Sequence, residues 1–147
     1  MKIKGFSLIE LLLVIVIIGI MITVVASNAG TGNETTVLKS ASREIASGIR
    51  YARGIAMTNR KESVFQFDLE ENTYQMTDKL KVYKLSKDIE VTLDVAQSQI
   101  EDDGTQGAIR FFPDGSSTGG RITLEISEIK RQLDINWLTG QVEISEQ

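Results

Sequence analysis

Between Phe6 and Ala26 the chain carries one charged side chain, Glu10, in 21 residues that are otherwise apolar or small. As a helix such a segment is about 30 Å long, the thickness of a bilayer core. This run constrains the fold more than any other feature, because it predicts a helix that crosses a membrane. Lys2 and Lys4 lie on its N-terminal side. The bias of basic residues toward the cytoplasm therefore keeps that end inside and sends the remainder of the chain across the membrane. Glu10 is the anomaly, since a carboxylate in a spanning helix costs about 2.5–3.5 kcal/mol on insertion scales and calls for a partner. A carboxylate at the membrane edge that reaches water is the plainer alternative.

The remainder of the 147 residues is polar enough for one soluble domain, and its composition narrows the chemistry. The chain has no cysteine and no histidine. It therefore lacks disulfides, thiolate metal sites and the commonest general base and zinc ligand. An enzyme is not expected, and neither is a cofactor or a metal. Without Lys2 and Lys4 the balance is fourteen basic against twenty acidic side chains, or −6. An acidic domain repels nucleic acid unless a local basic patch intervenes.

The junction Lys4-Gly5-Phe6-Ser7-Leu8-Ile9-Glu10 resembles the type III signal sequence of type IV pilins and type II secretion pseudopilins. The resemblance implies that a prepilin peptidase cuts after Gly5 on the cytoplasmic side and methylates the new amino terminus on Phe6. Glycine before the cut leaves the scissile amide unobstructed. It also implies that Glu10, fifth in the processed chain, pairs with the N-terminal amine of a neighbouring subunit. That amine is largely protonated near neutral pH. A secretory signal peptide ending near Ala26–Ala29 and a plain single-span anchor both account for the hydrophobicity. Neither accounts for Glu10 together with the Gly-Phe junction.

Beyond the run, Asn28–Asn33 holds two glycines and predicts a bend or loosened stretch. Thr31 and Glu34 have capping-box spacing for a second helix. Leu38, Ala41, Ile45, Ile49, Ala52 and Ile55 or Ala56 then recur at steps of three and four, predicting an amphipathic helix over about 34–59. Past Asn59 the period changes to two. Strands are predicted at 64–67, 73–76, 81–85, 89–95, 108–112, 121–126, 132–137 and 141–144, with a polar loop over 97–107. Turn formers join them, among them Pro113-Asp114-Gly115, Gly119-Gly120 and Thr139-Gly140. The fold class is α+β: a long N-terminal helix, membrane-spanning then amphipathic, packed on an antiparallel two-sheet β domain. The expected divisions are a leader over 1–5, a transmembrane and assembly helix over 6–27, and a periplasmic domain over 28–147 that is β-rich from 63.

Phe111-Phe112-Pro113-Asp114-Gly115-Ser116, Gly120-Arg121-Ile122-Thr123-Leu124 and Leu138-Thr139-Gly140 are similar to the GspH/FimT family of minor pseudopilins and minor pilins. These motifs equally serve as plain hairpin turns. DNA-uptake members resemble one another in arginines around the glycine of the last hairpin, where this chain has Gln141, Val142 and Glu143. The resemblance therefore implies a minor pseudopilin of a type II secretion system, anchored in the bacterial inner membrane by a single pass with its domain in the periplasm. Its partners would be a prepilin peptidase and other pseudopilins, major and minor. The alternative is a minor pilin of a type IV pilus, acting in pilus assembly or DNA uptake. Arg43, Arg50, Arg53, Arg60 and Lys61 form the densest basic stretch and suit subunit contacts better than nucleic acid. Glu101-Asp102-Asp103-Gly104 has carboxylates suited to calcium but lacks EF-hand spacing, and a solvated acidic loop is the better reading. Glu10→Leu is expected to leave processing and membrane insertion intact while impairing incorporation into a filament. Full complementation of a deletion by this variant would show that the carboxylate is dispensable.

Overall fold

The structure, a computed structural model, describes residues 8–77, 79–96, 100 and 104–146, with only the backbone for 22–32. The chain divides into two compact units, Met1–Thr35 and Thr36–Gln147. Helix α1 (Leu8–Asn59) is followed by eight strands: β1 (Ser63–Asp68), β2 (Thr73–Met76), β3 (Tyr83–Lys84), β4 (Glu90–Asp94), β5 (Gln106–Phe111), β6 (Gly120–Ile126), β7 (Ile129–Ile135) and β8 (Val142–Glu146). The expected loosening over 28–33 is corrected here, for the backbone there is helical and no second helix starts at Thr31. Nucleating a helix is costly, whereas extending one through single glycines costs only about 1 kcal/mol each.

In the second unit the helix buries Leu38, Ala41, Ser42, Ile45, Ala46, Ile49, Ala52 and Ala56, the face that the three-and-four spacing marks out. The strands form two four-stranded sheets, in the orders β3-β2-β1-β5 and β4-β6-β7-β8. All pairings are antiparallel. Burial alternates along β1, β5, β6 and β7, so each sheet turns one face to the core and a polar face to solvent. Phe65, Phe67, Tyr74, Met76, Ile109 and Phe111 come from the first sheet, and Ile122, Leu124, Ile126, Leu133 and Ile135 from the second. Gly48 lets the first sheet come close: a Cβ there would stand 3.0 Å from Phe65 Cε2. Burial, with the Glu44 carboxylate beside it accepting a hydrogen bond, pushes the Tyr74 phenol well above its ordinary range.

Each predicted strand is present, with three corrections. β5 begins at Gln106, inside the predicted loop, because Gln106 and Gly107 pair with Asp68 and Phe67. β7 runs from Ile129 to Ile135 instead of 132–137, and a turn with Ser127 at φ 55° starts it early. It stops at Ile135 because the Asn136 side chain accepts the amides of Leu138 and Thr139 in an Asx turn. β3 keeps two residues of a predicted five. Truncating Phe111, fully buried on β5, to alanine is expected to cost about 3–5 kcal/mol in denaturant unfolding.

Candidate functional site

The first unit offers an apolar surface with one carboxylate. Twelve large apolar side chains from Leu8 to Met21 are exposed, from 44% at Ile17 to 81% at Leu8. Covering them in an apolar environment is worth on the order of 10 kcal/mol or more. Glu10 stands among them in the first turn of α1, exposed, where a carboxylate also complements the helix dipole. Gly5 and Phe6, the residues of the expected cleavage and methylation, lie outside the described residues, as does part of the predicted span. Among the described residues no helix is long and apolar enough to cross a membrane. The described side chains of the run stop at Met21, fourteen residues from Leu8, and a span needs about twenty.

The second unit has a junction where the C-terminal motifs meet. The Arg53 Nε donates to the Gly115 carbonyl at 3.0 Å, across 62 residues of sequence. Gly140, at φ 62°, packs on the same carbonyl so closely that a Cβ would lie 2.4 Å from its oxygen. Gly115 is at φ 86°, with Arg53 and Met57 against it. The two loops are also stitched directly: Ser117 N–H donates to the Trp137 carbonyl at 2.8 Å and Ser117 Oγ to that of Asn136 at 3.1 Å. Asp114 accepts from the Ser116 hydroxyl at 2.6 Å and its amide at 2.9 Å. These bonds hold the carboxyl below the usual aspartate range.

This junction is not legible in the sequence, where the two motifs read as separate hairpin turns and Arg53 as one of a basic stretch suited to subunit contacts. No local signal ties a helix arginine to a loop 62 residues away. Arg50 and Arg53 together line a cleft of about 380 Å³ with Gly140, Gln141, Val142 and Glu143. Two arginines therefore do border the last hairpin, brought there by the helix, and Glu143 shares the cleft with them. Among the described residues no group of three or more acidic side chains is placed to hold a metal ion. The acidic run Glu101–Asp103 lies outside them.

The matches to known families fall on these same features. The type II transport protein GspH family matches residues 41–140. The chain belongs to that family. The matched region takes in the core face of the helix from Ala41, strands β1 to β7 and the Arg53–Gly115–Gly140 junction. The prokaryotic N-terminal methylation motif matches residues 1–26. The type II secretion system protein H of Xanthomonas campestris pv. campestris is 34% identical over 144 residues, covering 96% of this chain and 82% of that protein. In structure, this GspH-family chain is similar to the type IV minor pilin FimU of Pseudomonas aeruginosa, with a TM-score of 0.59 at 15% identity, over 76% of this chain and 90% of that one. It is equally similar to the minor pseudopilin EpsH of Vibrio cholerae, with a TM-score of 0.59 at 6% identity, over 74% and 96%. At such identities the likeness establishes the pilin-like fold alone.

Gly140→Ala is expected to destabilise the domain by about 1–3 kcal/mol in denaturant unfolding, through strain at positive φ and contact with the Gly115 carbonyl. For Asp114 the folded-state pKa lies below the unfolded one. Its contribution is thus present above the unfolded aspartate value of about 3.9 and is lost as pH falls through the folded value. Asp114→Asn should accordingly show a shallower loss of stability below about pH 4 than the parent chain.

Proposed function

We propose that this chain is a minor pseudopilin, a structural subunit of the periplasmic pseudopilus of a type II protein secretion system. The observation that carries this reading is the exposed apolar stretch of the helix over Leu8–Met21, with Glu10 as its one carboxylate, in a chain with a GspH-family β domain. Residues 1–5 serve as the leader, 6–27 as the membrane-spanning and assembly stem, and 28–147 as the periplasmic domain. A prepilin peptidase on the cytoplasmic side cleaves after Gly5 and methylates Phe6. The stem then leaves the bilayer and packs among the stems of other pseudopilins, exchanging lipid contacts for protein contacts. Glu10 meets the charged amine of a neighbour, where both groups would otherwise be poorly solvated, and so sets the axial register. The subunit works by packing and catalyses nothing.

The 34% identity to a type II secretion system protein H supports this branch. The fold fits a minor pilin equally well, since the two solved structures match with the same TM-score. A clean deletion in the native host separates the two. Loss of secreted protein from the medium, with surface pili and DNA uptake intact, is the expected result. Loss of pili or uptake with secretion intact would assign the chain to the pilus instead.

A further inference from the structure

From Lys79 to Lys87 the chain carries four lysines and no acidic residue, bounded by Asp78 and Asp88. None of these lysines joins an ion pair among the described residues. Two of them are held against tyrosine rings. Lys79 Nζ lies 4.2 Å from the Tyr51 ring centroid and donates to the Tyr83 hydroxyl at 3.4 Å. Lys81 Nζ lies 4.7 Å from the centroid of Tyr83. Tyr83 is in turn stacked on the buried Tyr74, with centroids 5.1 Å apart and planes 8° from parallel. Cation–π contact and stacking therefore fix this connection to the domain. The residues that alternate with the lysines are apolar and bare: Leu80 is 108% exposed and Val82 55%. Leu80, Lys81 and Val82 make no backbone hydrogen bond among the described residues. They lead directly into β3, the outer strand of the first sheet.

Lysines commonly guard a sheet edge against stray pairing. That role accounts for the lysines but not for two apolar side chains held out between them. We propose that Lys79–Lys84 is a docking element for a neighbouring filament subunit, one that presents an apolar recess ringed by carboxylates; this rests on the pseudopilin reading above. Leu80 and Val82 fill the recess. Lys81 and Lys84 meet the carboxylates, and the free backbone of Leu80–Val82 is open to an added strand. Another copy of the same element is disfavoured as the occupant, because its lysines would face like charges.

The test uses the full-length chain in its native host. Because the chain has no cysteine, Leu80→Cys supplies a unique thiol for a maleimide–diazirine photo-cross-linker. The expected result is one discrete adduct with another pilin-like subunit, joined at a peptide containing Asp or Glu, and lost in the Lys81→Glu/Lys84→Glu background. Leu80→Asp should lower secretion at least about tenfold, as for the loss of an interface hot spot. Protein level, processing and thermal midpoint should stay at parental values, and Leu80→Met should restore secretion. An adduct with lipid, with an exported protein or with a second copy would overturn the proposal, as would no adduct or secretion by Leu80→Asp within twofold of the parent. If deletion abolishes secretion while Leu80→Asp does not, only the docking element fails. If deletion leaves secretion intact, the pseudopilin reading fails first.

Discussion

The second unit depends on one helix face. Leu38, Ile45, Ile49 and the alanines between them supply the surface that the two sheets cover, and neither sheet closes a core alone. The small residues matter as much as the large ones. Gly48, Ala52 and Ala56 keep that face shallow, so Phe65, Phe67 and Phe111 can lie close to the helix. The polar ladder on the far face of the first sheet, where Gln66, Gln75, Gln106 and Asp68 bond side chain to side chain, follows from the same constraint. With one face committed to the core, strand register assigns every alternate residue to water.

The two sheets are then tied at a second place, away from the apolar core. Arg53 reaches from the helix to the Gly115 carbonyl, and Gly140 closes on the same atom. Ser117 bonds the loop between β5 and β6 to the turn between β7 and β8. A hydrogen bond of this kind contributes only about 1 kcal/mol net. Its larger effect is geometric, because it carries the contact between the two loops beyond the Gly120–Ile135 pair where the β6–β7 ladder ends. The glycines are there for contact as much as for turning, which is why their motif spacing looks like ordinary hairpin chemistry.

Charge shows how a total can mislead. Residues 36–87 hold ten basic and six acidic side chains, and residues 88–147 hold four and twelve. The chain-wide excess of acid therefore describes the second half. The helix and the β2–β3 connection are locally basic, and protein contacts are made at that local scale.

What the sequence by itself determined is what depends on local order. The apolar run with Glu10, the helical face from Leu38 to Ala56 and the eight strands all follow from side-chain periodicity and turn residues, which are properties of near neighbours. Strand edges moved by a few residues wherever pairing or a side-chain cap decided the end, as at Gln106 and Asn136. The Asn28–Asn33 stretch stayed helical because extending a helix costs less than starting one. Tertiary structure alone decided which distant residues meet: Arg53 with Gly115 and Gly140, and Lys79 with Tyr51 and Tyr83. Those contacts depend on how the helix and sheets pack in three dimensions, and no period in the chain encodes them.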